Sequence, residues 1–150
     1  MLLYLVRHGK AEDGADDASR RLTDGGRRAV RHVAGRLQGA GVQIDRIEHS
    51  GLERARETAE ILAGAVASQV VQVSDLHPED KVDRVAARLL DTDASRLMLV
   101  GHLPFMQRLA SYLLMGHEDA SILHFKTSAV ACLSMDSGHW TLEWFLPPGM

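Results

Sequence analysis

The sequence predicts an α/β fold: a three-layer α/β/α sandwich with a mainly parallel central sheet and a C-terminal antiparallel hairpin. Three observations carry that expectation. The runs Leu2 to Val6 and Leu97 to Val100 are of strand length and apolar throughout, the pattern of strands buried on both faces. Between them lie stretches with apolar residues at helical spacing, so strand and helix signals alternate along most of the chain. The last segment differs, setting two strand-like runs about a turn.

The elements follow in order. Leu2 to Val6 is a strand that stops on Arg7-His8-Gly9. Lys10 to Arg21, acidic and rich in small residues, reads as a loop, with Glu12, Asp13, Asp16 and Asp17 as a solvated face. Thr23 and Asp24 supply N-cap chemistry for a helix reaching about Gln38, with Val30, Val33, Ala34 and Leu37 at helical spacing and Gly39 to Gly41 ending it. Ile44 to His49 is a second strand. Ser50 is placed to cap a helix from Leu52 to about Ala65, whose apolar face carries Ala55, Ala59, Leu62 and Ala63. Val70 to Val73 is a short third strand, and Lys81 to Leu90 a helix with Val82, Val85, Ala86 and Leu89 as its stripe. Leu97 to Val100 ends on Gly101-His102, and a helix runs from Pro104, acceptable in a first turn, to about Met115. Ala129 to Met135 and Trp140 to Phe145, joined by Asp136-Ser137-Gly138-His139, make the hairpin. Trp140 and Trp144, two strand repeats apart, are expected on one face of the sheet.

Composition bounds the function. A chain of 150 residues is expected to form one domain, residues 1–150, with enough core to need no staples. Hydrophobic residues at 45% and charged residues at 25% exclude disordered and fibrous classes. A net charge of −3, with arginines scattered among acids, gives no footprint for nucleic acid. The lone Cys132 lies in an apolar stretch and reads as a small core residue. MLLYLV lacks a basic start and the length of a secretory core, and no later stretch has the length of a membrane span, so the reading is soluble and cytoplasmic, with no membrane partner.

Ligands of open α/β sheets sit beyond the carboxyl ends of the strands, so polar residues there are site candidates. Two strands end alike, on Arg7-His8-Gly9 and on Gly101-His102, and parallel pairing brings both histidines to one edge. Arg54, at the start of the helix after Ile44 to His49, reaches the same edge, where a helix N-terminus favours an anion. Arg7 adds a fixed planar cation, His8 a nitrogen that is neutral and nucleophilic near pH 7, and Gly9 a turn allowing close approach of a ligand. Two histidines and two arginines together suit a tetrahedral dianion, because phosphoryl transfer depends on spreading charge onto fixed donors. Arg56 is expected to face elsewhere and pair with an acid. His32, His49, His77, His117, His124 and His139 read as surface or structural histidines. Without an HExxH pair or a cysteine cluster, no metal site is expected.

Arg7-His8-Gly9, the S-x-x-x-R-A-x-x-T run of Ser50, Arg54, Ala55 and Thr58, and Gly101-His102 resemble, in order and spacing, the histidine phosphatase (phosphoglycerate mutase-like) superfamily. Arg21-Leu22-Thr23-x-x-Gly26, His102-Leu103-Pro104 and Thr127-Ser128-Ala129 are similar to the SixA-type phosphohistidine phosphatases within it. The resemblance implies a ping-pong phosphatase that uses no metal or other cofactor: His8 attacks phosphorus, and water hydrolyses the resulting phosphohistidine. Arg7, Arg54 and His102 would hold the nonbridging oxygens. Larger members place a general-acid glutamate after the third strand. Here Asp75-Leu76-His77-Pro78-Glu79-Asp80 offers no clear match, and Glu79 or Asp80 stays open as an acid. An imidazole leaves far more readily than an alkoxide, so a weak or missing acid suits a phosphoramidate. With no room for a long inserted cap, the expected site is open and shallow, and the expected substrate a phosphohistidine on a signalling protein, such as a phosphotransfer domain. A phosphatase for a small phosphoester and a noncatalytic phosphate-binding module are the alternatives.

Overall fold

Because successive side chains of a strand point to opposite faces, an apolar run buried on both sides serves two cores at once. In the computed structural model, which describes residues 1–150, the elements are β1 (Leu2–Arg7), α1 (Asp24–Gly39), β2 (Arg46–His49), α2 (Glu53–Val66), β3 (Gln69–Gln72), α3 (Val82–Leu90), β4 (Arg96–Gly101), α4 (Phe105–Met115), β5 (Val130–Asp136) and β6 (His139–Leu146). Tyr4 and Val6 of β1 join Met98 and Val100 of β4 and Ile47 of β2 under α1 and α2, against Val30, Val33, Leu37, Ala59 and Leu62. Leu3 and Leu5 point the other way with Leu97 and Leu99, packing on Val85 and Leu89 of α3 and on Phe105 and Leu109 of α4. The result is the predicted α/β/α sandwich, with two helices on each face.

The strand order is β3-β2-β4-β1-β5-β6. The first four are mutually parallel, while β5 runs antiparallel to β1 and β6 antiparallel to β5, the mainly parallel sheet with a terminal hairpin expected from the sequence. Cys132 is buried and unpaired. No helix is long and apolar enough to cross a membrane.

Three expectations need correcting. The segment Lys10 to Arg21 is structured: Ala11 bridges to Leu22, and Asp17–Ser19 form a 3-10 turn capped by the Asp16 carboxylate. Ser50 does not cap α2, whose N-cap is Leu52 with no side-chain bond, because the Ser50 hydroxyl is engaged elsewhere. The two tryptophans do not share a face. A bulge opposite Cys132 and Leu133 leaves Glu143 as the extra residue in β6, so Trp140 packs with the α3/α4 core and Trp144 with the α1/α2 core, beside Tyr4.

Candidate active site

Register decides what meets at the carboxyl edge of the sheet. Arg7 pairs with Gly101 across β1 and β4, so His8 and His102 are the next residues of adjacent parallel strands. The His8 amide donates to the Gly101 carbonyl at 2.9 Å, and the two imidazole centroids lie 5.0 Å apart. On the other side of β4, His49 of β2 pairs with Val100, which carries Ser50 to the same edge and starts α2 three residues later. Arg54 therefore lies in the first turn of α2, where the helix dipole favours an anion, and it is buried.

Hydrogen bonding gives the two histidines different roles. His8 Nδ1 lies 2.6 Å from the Gly9 carbonyl oxygen, which can only accept, so Nδ1 carries the proton and Nε2 keeps its lone pair. His102 Nε2 lies 2.6 Å from Ser50 Oγ, which in turn accepts the Leu52 amide at 3.3 Å. The amide can only donate, so the one acceptor these contacts offer the Ser50 hydroxyl proton is Nε2; the hydroxyl donates there and leaves the His102 proton on Nδ1. That Nδ1 is buried with no hydrogen-bond partner in the protein, as are Arg7 Nε and Ser128 Oγ. Buried polar atoms are normally paired, so such orphans on neighbouring segments mark a site that a polar ligand completes.

Burial, followed by the charges of Arg54, Arg7 and Arg20, holds His8 down to about 4, against the pull of its bond to Gly9. Burial and then the His8, Arg54 and His77 charges hold His102 down to about 2, with Asp17 pulling the other way. Both imidazoles are thus neutral near pH 7, one as an acceptor and one as a donor. A bound dianion would reverse the repulsion and favour a protonated His102.

The arginines are braced from far along the chain. Arg7 Nη1 donates to the Phe125 carbonyl at 2.9 Å, and the Ser128 amide reaches the carbonyls of Arg7 and His8 at 3.1 and 3.2 Å. Arg54 Nη1 donates to the Asp17 carbonyl at 2.9 Å, and its Nη2 lies 3.3 Å from the Asp17 carboxylate. Thr58 Oγ1 ties the pieces together, accepting the Gly9 amide at 3.0 Å and donating to the Arg54 carbonyl at 2.7 Å.

All four candidates thus stand at one edge: His8 and His102 side by side, with Arg7 and Arg54 both acting on His8. Three further participants escaped the sequence reading. Ser50, expected to cap α2, bonds His102 instead, while Thr58, which the sequence offers only within a motif, and Asp17, expected on a solvated face, both bond Arg54. Gly9 is required for a different reason than expected: a Cβ there would fall 2.7 Å from Val30 Cγ2 of α1. Arg56 pairs with Glu53 and Glu60, away from the cluster. Glu79 is exposed and reaches Arg108 at 3.4 Å, and the Asp80 carboxylate accepts the His77 amide at 2.8 Å; neither is bonded into the cluster. No group of three or more His, Cys, Asp or Glu side chains is gathered to hold a metal. A recess of about 590 Å³ lies beside β3 between Gln72–His77 and Arg88 and includes none of the four.

The family model for the histidine phosphatase superfamily (branch 1) matches residues 3–78. Phosphohistidine phosphatase SixA of Escherichia coli (strain K12) is 31% identical over 155 aligned positions, covering 99% of this chain and 94% of that protein. A solved structure of the protein histidine phosphatase SixA complexed with tungstate superimposes with a TM-score of 0.87 at 31% identity, over 98% of this chain and 97% of that one. The fold is shared more widely: α-ribazole phosphatase from Shigella flexneri gives a TM-score of 0.81 at 17% identity, over 95% of each chain.

Proposed function

The chain belongs to the histidine phosphatase superfamily, and from that membership we propose a metal-independent phosphatase that works through a phosphohistidine on His8 and removes phosphate from phosphohistidine on a signalling protein. The observation that carries this reading is the 2.6 Å contact from His8 Nδ1 to the Gly9 carbonyl, which fixes the tautomer and keeps the Nε2 lone pair free. In the first step that lone pair attacks phosphorus, and the bond to the leaving nitrogen breaks with its electron pair. In the second, water attacks the phosphohistidine, the P–Nε2 bond breaks, its pair returns to His8, and the water's protons leave with phosphate or solvent. Arg7, Arg54 and the Nδ1–H of His102 would hold the nonbridging oxygens through both.

Several facts support the choice of substrate. A relative covering nearly the whole chain is a phosphohistidine phosphatase, and tungstate in the SixA structure is a tetrahedral oxyanion. Neither Glu79 nor Asp80 is bonded into the cluster, and a phosphoramidate has least need of an acid. One sheet shared by all six strands supports a single domain over residues 1–150, and the buried, unpaired Cys132 is in keeping with a reducing cytoplasm.

Wild type and His8→Ala are to be incubated with a phosphohistidyl protein and with an aryl phosphate, with and without chelator. The expected result is chelator-insensitive turnover of the phosphohistidyl protein, lost by about 1000-fold or more in the variant. Efficient release from small esters with the phosphohistidyl protein untouched would overturn the substrate. No turnover of either substrate would favour a binding module.

A further inference from the structure

Asp17 is the carboxylate built into this cluster, and the clamp does not account for it. A dianion held by Arg54 is repelled by a carboxylate 3.3 Å from the same guanidinium. The side chain is nevertheless fixed there by design of the turn. Asp16 accepts the Ala18 amide at 3.3 Å and the Ser19 hydroxyl at 2.5 Å, Arg20 donates to Asp17 Oδ1 at 3.0 Å, and Arg20 Nε anchors on the Glu12 carbonyl at 2.7 Å. Each carboxylate oxygen has one arginine partner, Oδ1 with Arg20 and Oδ2 with Arg54, and each can accept one more hydrogen bond. At 64% exposure, the side chain can meet a substrate at the mouth of the site.

The leaving groups of the two candidate substrate classes differ at this point. The alcohol or phenol leaving an ester has no donor beyond the scissile atom and carries negative charge as it departs. A phosphoimidazole has a second ring nitrogen that, once protonated, is a cationic N–H donor directed away from phosphorus. We infer that Asp17 is a specificity-determining residue: its carboxylate accepts the distal N–H of a phosphoimidazole leaving group beside the Arg54-held phosphoryl group, and thereby selects phosphohistidine over phosphoesters. Arg20 and Arg54, and then burial opposed, keep that carboxyl below its ordinary range, so it is ionised at neutral pH. The chemistry balances without a further acid. The distal nitrogen is protonated from solvent before the step, His8 Nε2 bonds to phosphorus, the P–N bond breaks, and its electron pair neutralises the ring. A neutral imidazole departs, still bearing the N–H that Asp17 holds.

This inference rests on the phosphohistidine reading, and the test separates the two. The rates of wild type and Asp17→Asn are measured on phosphoimidazole and on an aryl phosphate, and the ratio of the two kcat/KM values is compared. Losing a charged hydrogen-bond acceptor for one leaving group is expected to lower that ratio by about 10- to 100-fold. An unchanged ratio would overturn the inference, whether both rates stay as they are or both fall equally, the latter leaving Asp17 as an orienter of Arg54. If wild type turned over the aryl phosphate but not phosphoimidazole, the phosphohistidine reading itself would fall and take this inference with it.

Discussion

One backbone and one side-chain oxygen, the Gly9 carbonyl and Ser50 Oγ, decide which histidine accepts and which donates. Ser50 is a positioning residue with its own test. In Ser50→Ala, His102 loses the donor to Nε2, both tautomers become accessible, and kcat/KM is expected to fall by about 10- to 100-fold, with Ser50→Thr retaining most activity. The readout that a purely structural role would not move is the nitrogen NMR spectrum of His102, which should change from the Nδ1–H form to a mixture in the alanine variant. An unchanged spectrum with full activity would sink the assignment. Arg7, His8, Arg54 and His102 could be singled out from sequence because each follows directly on a strand end or opens a helix. Ser50 could be located but not understood, since its partner is 52 positions away and a serine before a helix reads equally well as a cap.

At the level of elements, the turn from β1 into α1 is shaped by Gly26 and not by its neighbour Gly25. A Cβ on Gly26 would lie 2.2 Å from the Lys10 carbonyl oxygen, whereas one on Gly25 would meet nothing nearer than 3.6 Å. Thr23 joins the same contact, its amide donating to the Lys10 carbonyl at 2.9 Å and its hydroxyl accepting the Gly26 amide at 2.8 Å. The Arg21-Leu22-Thr23-x-x-Gly26 run therefore forms a helix cap and a backbone crossing. Gly26→Ala is expected to destabilise by about 2–3 kcal/mol, because backbone must move. Gly25→Ala should be neutral or slightly stabilising, since alanine is the better helix former. Equal urea midpoints for the two variants would refute this account. Helices with clean apolar stripes were legible in the sequence to within a residue or two. The 3-10 turn at Asp17–Ser19 and the β6 bulge were not, because the first is a single short turn without an apolar repeat and the second is one unpaired residue that reverses a two-residue repeat.

For the whole molecule, the buried imidazoles link stability to pH. His8 is held down to about 4 and His102 lower still, so below pH 6.5 the unfolded chain takes up protons that the native state refuses. The stability these groups contribute is complete above pH 6.5 and is lost as pH falls toward 4. Between pH 7 and pH 5 the loss is about 2 kcal/mol for each histidine. Urea titrations in buffers free of phosphate should show it, with a shallower slope in His8→Gln; the same slope in the variant would remove His8 from the explanation. The order of the sheet has a consequence in time. Strand β1 lies between β4 and β5, which are made much later, and within the sheet it has no hydrogen-bonded neighbour until residues near 96 have emerged. Phe125 and Ser128, which brace Arg7 and His8, arrive later still. His8 is thus synthesised well before the residues that put it in place. Until then an apolar strand waits unpaired, exposed to chaperones and to other nascent chains.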